Sequence, residues 1–294
     1  MMRLATLVAA VSICGSSATL LLAALDYSSI GSNYVQNFDS LAATGIGHSW
    51  TNDSTIPGWS LFRVTAGADS TPFPMSAYDA TDGSAGAGRF YSFGATDDGD
   101  RSLGAIGGGN FGNTGDQATG VGLGAADGWI ALSLMNSTGS VLNQVTVGYD
   151  GEQWRDAGDN EPPAAQTMTF EYGFGSTFAS VTWTAPGGSF DFTSPVFTTT
   201  DGPVAGNTAG RVSDLGGTIT DLDWQAGSVL WLRWVERNDP GLDHGMGIDN
   251  FSFAAGATAI PEPSAFLLHG AVGGMATIAV AVQRILRISR RGRN

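Results

Sequence analysis

Residues 228–237 read SVLWLRWVER, and their side chains alternate about the backbone. Val229, Trp231, Arg233 and Val235 share one face; Leu230, Leu232, Trp234 and Glu236 share the other. Both faces are largely apolar, so the stretch reads as a central strand of a sheet covered on both sides. Residues 167–172, TMTFEY, show the plainer half-buried pattern. Met168, Phe170 and Tyr172 lie on one face, and Thr167, Thr169 and Glu171 on the other.

The same period of two recurs in residues 34–41, 58–66, 89–95, 127–138, 142–155, 166–175, 179–185, 188–197 and 245–255. With 228–237 this makes about ten strands, separated by turns of Gly, Pro, Asn and Asp. No helical period persists in the body. The expected fold is all-β: an antiparallel double-sheet sandwich, jelly-roll-like, over residues 26–257. The last strand is expected to pair near the 34–38 strand. Residues 97–124 are more than a third glycine and read as long loops or a ragged edge around one short strand.

The 294-residue chain carries a different pattern at each end. Residues 1–25 combine Arg3 with an uncharged apolar run, the pattern of a secretory signal helix. Cys14, the one cysteine, lies inside it, so the exported part has no disulfide. Ile13 stands where a lipoprotein signal would want a small residue. Between Asp26 and Glu262 lie all 27 acidic residues against seven arginines and no lysine, a net charge of about −20. Such a surface repels nucleic acid and acidic membranes, and suits hydration or an ion-rich exterior.

Residues 260–294 have three parts. Pro261, Glu262 and Pro263 keep the chain extended and open to a peptidase. An apolar stretch, read as a transmembrane helix over 265–283, follows. Its first 18 residues span about 27 Å as a helix, near the thickness of a hydrocarbon core. The tail 284–294 holds Arg284, Arg287, Arg290, Arg291 and Arg293, which favour the cytoplasmic side and leave the body outside the inner membrane. Together these parts resemble a PEP-CTERM sorting domain of exported proteins in Gram-negative bacteria. The resemblance implies an exosortase partner, processing near Pro261, Glu262 and Pro263, a transient membrane anchor, and final release or attachment at the cell surface. The body also resembles a recurrent domain found in front of such signals. The pieces that carry this are FDSL (38–41), SWTN (49–52), PGW (57–59), RSLG (101–104), GEQWR (151–155), and LRW (232–234) followed by DHGMGIDNFSF (243–253). Lectin-like and carbohydrate-binding sandwiches are similar at the level of fold, which does not establish function.

Two constellations could carry chemistry. In GEQWR, Gly148, Asp150, Glu152 and Trp154 share one strand face, and Tyr149, Gly151, Gln153 and Arg155 share the other. An exposed Trp154 with Glu152 and Arg155 would suit a pyranose ring and its hydroxyls. The structural alternative is a buried ion pair of Glu152 or Arg155 with Arg233 or Asp249. The second set is Asn238, Asp239, Asp243, His244, Asp249 and Asn250. Asp239, Asp243 and Asp249 could give oxygen ligands to calcium, although the spacing is not that of an EF-hand and an Asx network explains it equally. Asp97, Asp98 and Asp100 form a third acidic loop with the same ambiguity. His48 and His244 are too far apart in sequence to suggest zinc. No nucleophile elbow, zinc-protease motif or phosphate loop occurs. Of the eight tryptophans, most are expected in the core and about two in solvent. The expected function is non-enzymatic: an exported surface or matrix protein that binds extracellular polysaccharide. A carbohydrate-active hydrolase, with two carboxylates across a cleft, and a purely structural matrix protein are the alternatives.

Overall fold

A computed structural model describes residues 24–64, 72–108, 127–158, 162–239 and 241–257. The expected signal segment, apart from its last two residues, and the whole sorting signal with Pro261, Glu262 and Pro263 lie outside the described residues. Among the described residues no helix is long and apolar enough to cross a membrane.

The strands run in chain order as β1 (Leu25–Tyr27), β2 (Tyr34–Gln36), β3 (His48–Ser49), β4 (Trp59–Val64), β5 (Pro72–Pro74), β6 (Ala77–Thr81), β7 (Arg89–Phe93) and β8 (Ser102–Ile106). They continue as β9 (Asp127–Asn136), β10 (Gln144–Asp156), β11 (Thr167–Phe174), β12 (Phe192–Thr193), β13 (Gly202–Pro203), β14 (Arg211–Ile219), β15 (Val229–Arg237) and β16 (Gly245–Gly256). One sheet has seven strands in the order β12-β11-β15-β9-β4-β5, with β1 beside β9. The other has nine, in the order β13-β10-β16-β8-β7-β6-β3, with β14 on β10 and β2 on β16.

The sheets pack face to face. Trp59, Leu132, Leu230, Leu232, Trp234 and Phe170 of the first meet Val147, Tyr149, Ile248, Phe251 and Leu103 of the second, all buried. Trp234 contacts both Tyr149 and Phe251 edge-on, at 5.5 Å each between ring centres, so one indole joins the layers. Strand β15 lies between β11 and β9, as its two apolar faces require. Strand β2 pairs with β16, so the ends of the domain meet as expected. Tyr27 Oη reinforces that closure, accepting from the Ala255 N–H at 2.8 Å.

Four expectations need correction. The sandwich is not wholly antiparallel, because β1 with β9 and β6 with β7 are parallel pairs. The segment 179–185 is not a strand. Its start is a 3₁₀ turn, Phe178–Ser180, joined to β11 only by a Tyr172–Thr184 bridge. Phe178, Val181 and Trp183 instead cover the outer face of the seven-stranded sheet, against Phe62, Trp129 and Trp231. The segment 188–197 keeps only the two residues of β12, because Gly187 and Gly188 take φ of 68° and 63° and turn the chain. Finally, β8 is interior, between β16 and β7, rather than at a ragged edge. Gly104 allows this, since a Cβ there would lie 2.3 Å from the Met246 carbonyl. Strand β14 was not anticipated; positive φ at Asp214, Gly216 and Gly217 interrupts its period.

Candidate functional site

Strand β10 supplies the GEQWR residues. Its register against β16 shifts twice, between Gly148 and Asp150 and between Gln153 and Arg155. Tyr149 faces the core, while Glu152 and Trp154 face away from it, as the alternation predicts. The outer face is nevertheless covered. Trp154 is 2% exposed, stacked parallel to Phe93 at 6.4 Å, with Gly206 packed on its indole. Its Nε1–H is shared between Ser102 Oγ at 2.9 Å and Glu152 Oε2 at 3.0 Å. The expectation of an exposed Trp154 is therefore corrected. Glu152 is itself buried, and burial raises its carboxyl pKa. Arg155 ion-pairs with Asp201 and donates to the Gly83 carbonyl at 2.9 Å, tying two loops to the end of β10. Arg233, one suggested partner, belongs to the other sheet, where it pairs with Glu171 and lies 4.0 Å from the centre of the Trp183 ring.

Asp239, Asp243 and Asp249 do not form a metal centre. Among the described residues, no three His, Cys, Asp or Glu side chains gather so as to hold an ion. Asp243 Oδ1 accepts the Asp239 N–H at 2.6 Å, a turn closure, and burial lifts its carboxyl to about 7. His244 accepts the Ala157 N–H at Nδ1 (2.9 Å), which places its proton on Nε2, 3.2 Å from the Ala164 carbonyl. Asp249 lies apart from these two, in β16 opposite Asp150.

What the fold does assemble is a window in the nine-stranded sheet. On one edge of β16, β8 pairs as far as Ile248 and β2 begins at Phe251. Asp249 and Asn250 lie between, and Asn250 takes φ of 49° in the bulge. Four of the quoted sequence pieces converge here. Asp39 of FDSL accepts the Arg101 N–H of RSLG at 3.1 Å. Ser102 and Glu152 share the Trp154 N–H, and Asp249 and Asn250 come from GIDN. Asp150 accepts from Arg211 Nη2 at 2.5 Å and from Asn250 Nδ2 at 2.9 Å. Asp249 is 1% exposed and its Oδ1 has no partner. Burial lifts its carboxyl to about 8, and the nearby Glu152, Asp100 and Asp39 add to the shift.

The window opens beside a groove of about 370 Å³ lined by Val35, Gln36, Asn37, Asn250 and Phe251. Its rim offers three amides and the exposed Asp39, held by Asn37 Nδ2 at 2.5 Å. The deep carboxyls Glu152 and Asp249 present almost no surface. None of the eight tryptophans does either, since each is at most 7% exposed, against the expected two in solvent. Sequence reasoning named each acidic piece but missed Asp39, Asn37 and Asn250 as neighbours. The only signal was that each lies in a quoted piece or next to one.

No protein-family model matches the chain, and no curated protein matches it. Among solved structures, it is similar to the CBM22-1 xylan-binding domain from Paenibacillus barcinonensis Xyn10C. That match has 12% identity and TM-score 0.34, covering 79% of this chain and 100% of that one. The CBM22-1-CBM22-2 tandem domain of the same protein matches at 15% identity and TM-score 0.31, covering 76% of this chain and 48% of that one. Likeness at this level carries no argument about a ligand. Among the described residues the chain's own geometry defines its class: a two-sheet all-β sandwich with a polar groove at a gap in one sheet.

Proposed function

We propose that this is an exported surface or matrix protein, sorted by an exosortase at Pro261, Glu262 and Pro263, whose body binds polysaccharide without cleaving it. The supporting observation is the convergence of FDSL, RSLG, GEQWR and GIDN on one buried window that opens beside a polar groove. Amides donate and accept, and carboxylates accept, so the rim of Gln36, Asn37, Asp39 and Asn250 matches the hydroxyls of a saccharide. The exposed Val35 side chain suits its C–H face. Cleavage would need two carboxyls that reach the glycosidic bond, and Glu152 and Asp249 are 2% and 1% exposed. Glycan-array binding by residues 26–257 is the test. A reduced signal in Asn37→Ala and Asn250→Ala supports the reading; no binding to any glycan sinks it, and release of new reducing ends favours a hydrolase. The burial of every tryptophan favours the structural alternative specifically, because it removes the usual stacking platform for sugars. That alternative gains if the array is blank. Deleting Pro261, Glu262 and Pro263 tests the sorting step: the exported protein should retain its precursor size, and unchanged processing would rule out recognition there.

A further inference from the structure

A second groove lies between β4 of one sheet and β6 and β7 of the other. It encloses about 380 Å³ and is lined in part by Arg63, Met75, Tyr78, Asp79, Arg89 and Phe90. It is separate from the window: Arg89 pairs with Ile106, at the end of β8 remote from Ser102.

Its chemistry is the reverse of the acidic window. Asp79 is already engaged at both oxygens, Oδ1 by the Gly47 N–H at 2.7 Å and Oδ2 by Arg89 Nη1 at 2.8 Å. That carboxylate therefore acts as an anchor for the guanidinium. The Arg89 side chain is 57% exposed. A guanidinium carries five N–H donors in a rigid fork, and Asp79 takes one of them here. On the facing strand pair, the Arg63 guanidinium lies 5.8 Å from the centre of the Phe73 ring, and Phe73 is 49% exposed. The groove thus combines the exposed Arg89 guanidinium with a carboxylate whose oxygens are occupied, and the half-exposed Phe73 ring lies beside it, against Arg63.

The geometry points to a binding subsite for a carboxylated sugar, with Arg89 taking the carboxylate through paired N–H bonds and Phe73 covering the ring's apolar face. This rests on the polysaccharide-binding reading and adds to it a ligand class at a second place. The body's charge of about −20 repels polyanions, and salt screens that repulsion beyond a Debye length of about 8 Å. The subsite therefore selects by contact rather than by steering, and a short oligosaccharide is the appropriate probe.

Every described strand and core residue lies within residues 25–256, so the body can be tested without its terminal segments. Calorimetric titration with oligogalacturonate is compared with the same oligosaccharide after its carboxyls are reduced to alcohols. The acidic form should bind about tenfold or more tightly than the reduced form. Arg89→Gln should remove that difference while leaving the reduced form unchanged, and Arg89→Lys should restore part of it. Equal weakening of both forms in Arg89→Gln reports a scaffold role for the Arg89–Asp79 pair and overturns the inference. Equal affinity of the two forms for the wild type overturns it as well. If neutral glycans bind and oligogalacturonate does not, the inference fails while the proposed function stands. If no glycan of either kind binds, both fail.

Discussion

Asp249→Asn should make the protein more stable, and only in a defined pH range. Asp249 is buried, its Oδ1 has no partner, and its carboxyl is raised to about 8. In the unfolded chain an aspartate titrates at about 3.9. The folded state therefore holds this proton more tightly than the unfolded state. The stability tied to it is fully present below pH about 4 and is lost as pH rises towards 8. At pH 7 the interval from the unfolded value is about three pH units, at about 1.4 kcal/mol each, which bounds the loss at about 4 kcal/mol. Asparagine never ionises, and its amide N–H groups can donate to the neighbouring carboxyls. Urea denaturation at pH 4, 6, 7 and 8 should show wild type and Asp249→Asn equal at pH 4 and the variant more stable at pH 7 and 8, by up to about 4 kcal/mol at pH 7. Its pH dependence should be flatter but not flat, because burial also raises Asp243 to about 7 and Asp53 to about 6. An unchanged pH slope, or a variant less stable than wild type at pH 8, would refute the picture of a carboxyl held neutral by its surroundings.

Substitutions at two further places, Trp154 and the Arg233–Glu171 pair, test structural roles. Trp154→Ala should cost about 3–5 kcal/mol by urea denaturation, as loss of a large buried ring does. Trp154→Phe should cost about 1–3 kcal/mol, because Ser102 and Glu152 lose their shared donor. Where Trp154→Phe remains folded, glycan binding should be unchanged; selective loss of binding with full stability would return Trp154 to the ligand site. On the other sheet, Arg233 and Glu171 are 0% and 1% exposed and joined by Nε to Oε2 at 2.6 Å. Glu171→Leu alone should cost about 3–5 kcal/mol, and Glu171→Leu with Arg233→Met should recover most of it. A double variant no better than the single one would show that the aromatic surroundings of Arg233 need its charge.

The sequence pattern and the structure agree where a side chain's own period decides its place. Leu230, Leu232 and Trp234 enter the core and Trp231, Arg233 and Val235 turn outward, because a strand offers no other arrangement. What lies over the outward face is a different matter. Residues 179–185 alternate as well as any strand, yet Val181 and Trp183 serve as a cover, since the outer face of β15 is apolar and needs one. The same limit governs the site. Alternation puts Glu152 and Trp154 on the outer face of β10, but it carries no information about Gly206, whose backbone packs on the indole and removes it from solvent. Nor does it tell that Asp39 and Asp249, more than two hundred residues apart, share one window. That follows from β2 and β8 pairing with the same edge of β16 and leaving Asp249 and Asn250 between them. Loops and neighbouring strands bury the deep carboxyls Glu152 and Asp249, which raises the pKa of both, and leave Asn37, Asp39 and Asn250 as the exposed polar groups around the window.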